Sequence, residues 1–415
     1  MKIARRIAKA FFFIFLFLDI AIFTSVFMLD KNIDNSYKIN RGDTLTFDTE
    51  IPVTAEYQGA KLSQSLIGDS IGETFSVDLK IFGLIPFSTV DVEVVDEMYV
   101  AVLGNPFGMK LYTEGVLVID MTAVDTKNGN INPAESAGVK KGDYIVSANG
   151  VMIYTNEELS KVVKESQGEE INLEILRNGE NKTMSVLPAF SEESQEYRIG
   201  LWIRDSSAGI GTLTFYSPAT GVVCGLGHGI CDEDTGSLLQ LNSGEIVDAE
   251  ILSVAKGSGG SPGELKGRFK YDTLADISLN CECGVYGFLN GTITPSNLTE
   301  VALKQEVEDG EAQILCTVEG ETPRLYSCTI KKRSSALHSE TQNIIVTVTD
   351  KELLEKTGGI VQGMSGSPLI QNGKLIGAVT HVLVDDPTKG YAIFAENMLE
   401  TSQSVSESNK LKDVS

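Results

Sequence analysis

Apolar and polar residues alternate in short runs along most of this chain, and glycine or asparagine turns separate the runs. Alternation with a period of two is typical of half-buried β-strands. Between residues 189 and 402 the runs predict an all-β sandwich or barrel. They fall at 212–216, 221–224, 250–254, 284–288, 312–318 and 343–349. Helical periodicity in this part is limited to 351–356 and 395–401, and residues 403–415 are predicted to form a frayed polar tail.

Residues 96–188 combine helical and strand periodicity. The run PAESAGVKKGDYIVSANG, residues 133–150, predicts a short helix that stops at glycine, then a strand and an Asn-Gly turn. Thr155 and Glu158 have the spacing of a capping box at the start of a second helix. This order resembles a PDZ domain of the kind attached to bacterial extracytoplasmic proteases. The resemblance implies that a loop binds a peptide carboxylate; we expect it at Phe107, Gly108, Met109, Lys110 and Leu111.

The N-terminus has the pattern of a membrane segment. Four basic residues within positions 1–9 precede an apolar stretch of 20 residues at 10–29. That length spans a bilayer as a helix, and the basic flank places residues 1–9 in the cytoplasm. We therefore expect a single-pass signal anchor, with residues 30–415 outside the cytoplasm. Residues 30–95 are predicted to be a β-rich region that connects the anchor to the next domain.

Composition limits the function classes. A formal charge of −23 argues against nucleic acid as a partner, because phosphates need basic residues. All six cysteines lie in the C-terminal half, where an exported domain could hold disulfides or buried thiols. Cys224 and Cys231 bracket His228, so a Cys/His metal-binding sensor is one alternative function. We predict no metal or other cofactor.

A glycine-flanked serine is the strongest candidate for chemistry. Residues 363–368 read GMSGSP and come just before an apolar strand. Glycines allow two backbone N–H groups to converge beside a hydroxyl, which acyl transfer requires. Ser365 is the predicted nucleophile, and the N–H groups of Gly363 and Ser365 are the predicted oxyanion hole. Thr380, His381 and Val382, on the following strand, are predicted to pair with the substrate.

Three histidines are available as the base, namely His228, His338 and His381. His228 stands in the glycine turn GLGHG, which leaves its imidazole accessible for proton transfer. His338 lies in a polar stretch that reads as a loop. We therefore choose His228 as the general base.

Two aspartates compete for the role of the acid that orients the histidine. Asp350 precedes the serine by 15 residues, and it could equally cap the helix that starts beside it. Asp276 lies in an Asp-Ile-x-Leu context similar to the strand that carries the acid in trypsin-like proteases. The residues themselves leave this choice open.

Together, the anchor, the PDZ-like region, LGHG and VQGMSGSPLIQNGKLIGAVTHV resemble the stage IV sporulation protein B peptidase family. The resemblance implies a mainly β chain: a transmembrane helix, a PDZ domain and a trypsin-like double-β-barrel serine peptidase. It also implies a triad of His228, Asp350 and Ser365. By the same resemblance the protein would act in the intermembrane space of the developing spore. There it would release itself by self-cleavage and cleave a membrane-bound regulator that leads to late sigma-factor activation.

The PDZ domain would then bind a ligand peptide, for which the chain's own N-terminal segment is one candidate. A catalytically inactive, anchored PDZ scaffold is a further alternative function. It would need neither Ser365 nor His228.

Overall fold

The computed structural model describes residues 12–14, 16–17, 24, 26, 33, 35–42, 45, 51–57, 60–61, 71–291, 297–333 and 341–414. The predicted anchor at 10–29 lies largely outside these residues, and His338 lies wholly outside them. Among the helices that these ranges contain, none has both the length and the apolar character needed to cross a bilayer.

A five-stranded sheet comes first along the chain, within the region predicted to be β-rich. Its strands are β1 (Ser36–Asn40), β2 (Val53–Tyr57), β3 (Ala60–Lys61), β4 (Thr74–Ile81) and β5 (Ile85–Val95), in the spatial order β1-β5-β4-β2-β3. In β4 the alternate residues Phe75, Val77, Leu79 and Ile81 are buried, because successive side chains of a strand point to opposite faces. This sheet has a core of its own.

Six strands close a first barrel in the middle of the chain. The elements there are β6 (Tyr99–Val102), β7 (Pro106–Met121), β8 (Val124–Thr126), β9 (Gly129–Ile131), α1 (Pro133–Ser136), β10 (Tyr144–Ala148), β11 (Val151–Met152), α2 (Asn156–Glu165), β12 (Ile171–Arg177), β13 (Glu180–Val186), β14 (Ala189–Phe190), β15 (Tyr197–Arg198), β16 (Leu201–Ser217), β17 (Val222–Gly225), β18 (Leu241–Ala255), β19 (Glu264–Cys281), β20 (Gly284–Leu289) and β21 (Thr299–Glu300). Strands β7, β18, β19, β20, β17 and β16 pair in that order, and β16 pairs back with β7. That last pairing closes the ring.

The region predicted to be PDZ-like is built onto one end of β7. There β7 joins β10, β12 and β13 in one sheet, and the helices α1 and α2 lie in the connections. Gly115 marks the point where β7 passes from barrel to sheet. Its φ is +82°, and a side chain there would bring Cβ within 2.5 Å of the carbonyl oxygen of Ile145. The capping box at Thr155 and Glu158 is confirmed at the start of α2.

A second barrel follows and is closed by six strands. Its elements are β22 (Gly310–Cys316), β23 (Arg324–Lys332), β24 (Ile344–Val348), α3 (Lys351–Thr357), β25 (Pro368–Gln371), β26 (Lys374–Val382), β27 (Lys389–Phe394) and, after the barrel, α4 (Ala395–Val414). The strands pair in the order β22-β23-β24-β27-β26-β25, and β25 returns to β22. The predicted mainly β class is confirmed.

The C-terminal segment is helical where a frayed tail was predicted. Helix α4 runs over 20 residues, and Val405 and Ser406 on it are buried. Met398, Leu399 and Val405 pack into the same core as residues of β16, β17 and β26. The prediction of a frayed polar tail is wrong because these few apolar residues on a polar helix are enough to dock it.

Candidate active site

The histidine turn follows the buried strand β17. Leu226 and Gly227 both have positive φ, +67° and +66°, so the chain turns sharply before His228. A Cβ on Gly227 would lie 3.1 Å from Cγ2 of Thr380 and 3.0 Å from Cγ2 of Ile393. The turn therefore packs directly on the second barrel. Glycine at position 227 allows both the positive φ and this close approach.

The ring of His228 is half-buried and is held at one nitrogen. Its Nδ1 lies 2.8 Å from the carbonyl oxygen of Gly229. A carbonyl can only accept, so this hydrogen bond requires the proton on Nδ1 and leaves the lone pair on Nε2. Burial lowers the pKa of His228 below its ordinary 6.5, although the Gly229 carbonyl acts in the opposite direction. The ring is thus neutral at pH 7, in the tautomer of a general base.

The serine turn contains two glycines with positive φ, Gly363 at +94° and Gly366 at +93°. The N–H of Ser367 donates to the carbonyl of Met364, which closes the turn. Between the glycines, Ser365 is partly exposed, and its Oγ donates to the carbonyl oxygen of Thr380 over 2.7 Å. The hydroxyl is therefore held beside β26, one residue before His381.

Backbone and side-chain contacts join the two turns. The N–H of Thr212 donates to the carbonyl oxygen of Ser365 over 2.9 Å, and Oγ1 of Thr212 donates to that of Gly363, also over 2.9 Å. A Cβ on Gly366 would lie only 2.0 Å from the carbonyl oxygen of Thr212 and 2.5 Å from the nitrogen of Leu226. The serine turn of the second barrel and the histidine turn of the first barrel thus meet at the boundary between the barrels.

The predicted oxyanion hole has two uncommitted donors. Within the described chain, neither the N–H of Gly363 nor that of Ser365 donates to a protein acceptor, whereas the intervening N–H of Met364 donates to Val361. Two such N–H groups beside a serine hydroxyl are the arrangement that stabilises a developing oxyanion. The neighbouring Ser367 is fully buried, and its Oγ has no partner among the described residues.

The predicted substrate strand flanks the serine. Thr380 is buried, with Oγ1 bonded to the carbonyl of Thr341, while His381 is exposed and Val382 half-buried. On one side β26 pairs with β27, through His381 opposite Tyr391. The pairing with β25 on the other side ends at Ala378. That edge of residues 380–382 has no partner strand among the described elements, so the substrate-binding role stays a prediction.

Neither candidate acid is brought to His228. Asp350 caps α3: its carboxylate accepts from the N–H groups of Leu353 at 3.0 Å and Ser327 at 3.3 Å. His381 pairs with Tyr391 and Tyr391 with Ile345. Asp350 lies five residues beyond Ile345 (350 − 345 = 5), which is about 16 Å along an extended chain. Its predicted alternative role as a helix cap is the one that the geometry supports.

Asp276 lies on the surface of the first barrel. It is an exposed residue of β19, paired with Glu245 on β18 and Phe288 on β20. Asn280, further along the same strand, is the residue that reaches the segment after the histidine. Its side chain bonds the N–H and the carbonyl of Ile230 at 2.8 and 3.0 Å. The Gly229 carbonyl, rather than either carboxylate, contacts the His228 ring.

Residues 107–111 belong to strand β7 in the wall of the first barrel and do not form a loop. Phe107, Met109 and Leu111 are at most 5% exposed, and β7 pairs at this level with β16 on one edge and β18 on the other. A strand paired at both edges has no backbone N–H left for a peptide carboxylate. The prediction of a peptide-binding loop at Phe107, Gly108, Met109, Lys110 and Leu111 is therefore wrong. Gly108 serves packing there, because a Cβ would lie 2.4 Å from the ring of Phe269.

A groove of about 600 Å³ lies instead along α2. Leu159 and Val163 of the helix line it, opposite residues 199–203. Leu201 and Ile203 pack on the same core as those two helix residues, and the N–H of Asn156 donates to Asp205 over 3.0 Å. The chain's own β16 thus extends the PDZ-like sheet beside α2 and then continues to the serine turn.

The cysteines do not assemble a metal site. Cys224 is a buried thiol of β17 and Cys231 an exposed one, and Cys316 and Cys328 are free thiols in the second barrel. Within the described ranges, no group of three His, Cys, Asp or Glu residues is placed to hold a metal ion. Among these residues, nothing favours the metal-sensor alternative.

Sequence reasoning missed the threonines that support the serine turn. Thr214 donates from Oγ1 to the carbonyl oxygen of Gly366 over 2.8 Å, on the same face of β16 as Thr212. The run Gly-Thr-Leu-Thr-Phe, residues 211–215, carried a signal in its alternation, because residues two apart share a face of a strand. Nothing local to that run indicated the partner, which is about 150 residues away.

Comparisons with known proteins identify two family matches in this chain. Residues 195–399 match the family described as "SpoIVB peptidase S55", and residues 101–187 match "PDZ domain". The chain is 34% identical over 94 residues to zinc metalloprotease RasP of Shouchella clausii (strain KSM-K16), which is 22% of either protein. It is 37% identical over 75 residues to zinc metalloprotease RasP of Oceanobacillus iheyensis, 17% of this chain and 18% of that protein. The chain thus spans about a fifth of these relatives, so their activity is not carried over.

One solved structure that resembles this chain is that of Rv3671c from M. tuberculosis H37Rv, a mutant in the inactive form. The similarity covers 47% of this chain and 81% of the Rv3671c chain. That structure is 14% identical with a TM-score of 0.25, too slight a likeness to support any argument. The two family matches, in contrast, cover the serine turn, the histidine turn and the PDZ-like sheet. The chain belongs to the SpoIVB-like, PDZ-containing serine peptidases of family S55.

Proposed function

We propose that this protein is a serine endopeptidase in which Ser365 is the nucleophile and His228 the general base. The observation that carries the proposal is the meeting of the two glycine turns at the boundary between the barrels. One turn carries a partly exposed serine hydroxyl with two uncommitted N–H groups, and the other carries a neutral imidazole. These are the parts that acyl transfer needs.

The reaction begins with a rotation of the Ser365 hydroxyl. The Oγ–H leaves the carbonyl of Thr380 and turns to Nε2 of His228, which takes the proton as Oγ attacks the scissile carbonyl. The N–H groups of Gly363 and Ser365 then receive the oxyanion, and one such donor contributes about 2.7–4 kcal/mol in serine peptidases. His228 returns the proton to the leaving amine. Water hydrolyses the acyl-enzyme by the same route.

Orientation of His228 rests on the Gly229 carbonyl in this mechanism. The carbonyl fixes the tautomer, as the carboxylate does in a Ser-His-Asp triad, but carries no full charge to stabilise imidazolium. Asp350, the acid that the family resemblance assigns, serves as the cap of α3. We propose that it supports the fold rather than the proton transfer.

The family and the N-terminal sequence support a proposal for the substrate and the cellular setting. We propose that an extended peptide adds beside residues 380–382, at the edge of β26 that no described strand occupies. The basic residues before the apolar stretch at 10–29 support an anchored protein whose catalytic part is exported. The family's name supports a role in sporulation. Self-cleavage and cleavage of a membrane-bound regulator that leads to late sigma-factor activation belong to this proposal.

Processing of the full chain tests the assignment. Wild-type protein should cut itself and an added unfolded protein substrate, and Ser365→Ala should abolish both activities. Ser367→Ala is the matched control, since its Oγ is buried without a partner in the described chain and its removal should cost little stability. Unchanged processing in Ser365→Ala would show that the chain is not a Ser365 peptidase. Absence of cleavage in every preparation would favour the inactive scaffold.

A further inference from the structure

His381 packs its ring on the ring of His228. The two ring centroids are 4.7 Å apart, and the ring planes are tilted by 35°. This distance and tilt are those of an offset aromatic contact. The two histidines come from different barrels, His228 from the turn after β17 and His381 from β26. The contact therefore crosses the boundary at which the serine and histidine turns meet.

His228 needs such a contact because its neighbours in the chain give its ring no support. Gly227 and Gly229 flank it and carry no side chains. The hydrogen bond from Nδ1 to the Gly229 carbonyl fixes one point of the ring. A ring held at one point can still swing about that bond, and a small misplacement of a catalytic group costs rate. A second contact on the ring face removes that motion.

The position of His381 is itself well defined. Its backbone pairs with Tyr391 of β27, and a Cβ on Gly390 would lie 2.5 Å from the His381 carbonyl oxygen. The carbonyl oxygen of the preceding residue, Thr380, accepts the hydrogen bond from the Ser365 hydroxyl. One stretch of strand thus holds the nucleophile through its backbone and contacts the base through its side chain.

We propose that His381 is a positioning residue for His228, whose ring it holds through this tilted ring contact so that Nε2 can be directed at Ser365. This inference rests on the proposed function and extends it. In a Ser-His-Asp triad a carboxylate orients the base. Here the Gly229 carbonyl and the His381 ring share that task. The sequence assigned His381 only to the substrate-binding strand.

Protonation is consistent with this role. Although part of the His381 side chain is exposed, burial of the rest of its ring, together with the charge that His228 can carry, lowers the pKa of His381 to about 4. Among the described residues, no carboxylate or amine shifts the pKa of either ring: besides burial, the Gly229 carbonyl acts on His228, and His228 acts on His381. His381 is thus neutral at pH 7.

Two substitutions at position 381 distinguish positioning of His228 from substrate binding and from proton transfer by His381. His381→Phe keeps an aromatic face, whereas His381→Ala removes it. We expect His381→Ala to lower kcat at least about tenfold with little change in KM, and His381→Phe to retain most of kcat. A raised KM with unchanged kcat in both variants would overturn the proposal in favour of substrate binding. Equal loss of kcat in both would overturn it in favour of proton transfer by the His381 imidazole.

An NMR titration supplies a readout that does not depend on peptidase activity. The chain has three histidines, so ring-labelled histidine in a Ser365→Ala background gives few signals to assign. In His381→Ala the pKa of His228 should rise toward 6.5, because its ring loses cover, and in His381→Phe it should stay low. An unchanged His228 pKa in His381→Ala would contradict the proposal that the His381 ring covers the His228 ring. If Ser365→Ala still cleaves while the titration behaves as expected, the proposed function fails and the ring contact stands.

Discussion

Thr214 donates a hydrogen bond of 2.8 Å from Oγ1 to the carbonyl oxygen of Gly366, across the boundary between the two barrels. Thr214 belongs to β16 in the first barrel, and Gly366 follows the candidate nucleophile in the second. Thr212 adds two further bonds to the same turn. The first barrel therefore holds the nucleophile of the second in place.

Thr214→Val should impair catalysis more than its loss of stability explains. Valine keeps the shape but leaves the Gly366 carbonyl without its donor, at a cost of roughly 1–3 kcal/mol for a buried acceptor. The matched control is Thr317→Val, because buried Thr317 makes the same kind of bond to the carbonyl of Gly104 over 3.1 Å. Urea unfolding should show similar losses for both variants, and a peptidase assay should show a reduced kcat for Thr214→Val only. Equal activity in the two variants would contradict the support role.

Gly366→Ala should separate the two turns. Its Cβ would lie 2.0 Å from the Thr212 carbonyl oxygen, and the backbone must shift to relieve that contact. Gly373→Ala is the control for the backbone strain of alanine at positive φ. Gly373 has φ +80° and no atom within 4 Å of its Cβ position. Both variants bear the strain of alanine at positive φ, of order 1 kcal/mol. Only Gly366→Ala should lose activity altogether; an active Gly366→Ala would show that the turns need not touch.

Asp350→Asn should stay active. Asparagine caps a helix about as well as aspartate, so the α3 cap would be kept, while a triad acid would be lost. Asp350→Ala should lose about 1 kcal/mol of stability from the missing cap. Steady-state kinetics and urea unfolding of the two variants give the comparison, and Asp276→Asn tests the other candidate. A fall of several thousandfold in kcat for Asp350→Asn would restore Asp350 as the acid.

Stability should fall as the pH drops below 6.5. The folded protein lowers the pKa of both His228 and His381, so between those values and the ordinary 6.5 the unfolded chain binds more protons. The stabilisation is complete above pH 6.5 and is lost as the pH falls through the range down to about 4. Urea midpoints compared at pH 7 and pH 5 avoid most carboxylate titration. The drop should be smaller in His381→Phe, and an equal drop would exclude His381 as a source.

The local turns of the candidate site could be predicted from the sequence better than their surroundings. Glycine-rich turns at His228 and Ser365 are local features, and each has a chemical reason that can be read from adjacent residues. The β-strand periodicity likewise predicted the class of the catalytic region. The PDZ-like motif at 133–150 and its capping box were equally local.

Contacts between distant parts of the chain were not predictable in the same way. Residues 107–111 contain a glycine and read as a loop, but β16 and β18, more than 90 residues away in sequence, pair with both edges and make them a strand. Asp350 has the spacing of a family acid, yet a helix begins beside it and uses its carboxylate. Likewise, the stacking of His381 on His228 appears only once two barrels are packed together.

Covalent labelling tests the central claim most directly. A fluorophosphonate reacts with a serine only where a base and an oxyanion hole activate it. We predict stoichiometric labelling of the full chain, mapped by mass spectrometry to Ser365, strongly reduced in His228→Ala and unchanged in Ser367→Ala. A label on any other serine, or full labelling of Ser365 in His228→Ala, would contradict the pairing of Ser365 with His228.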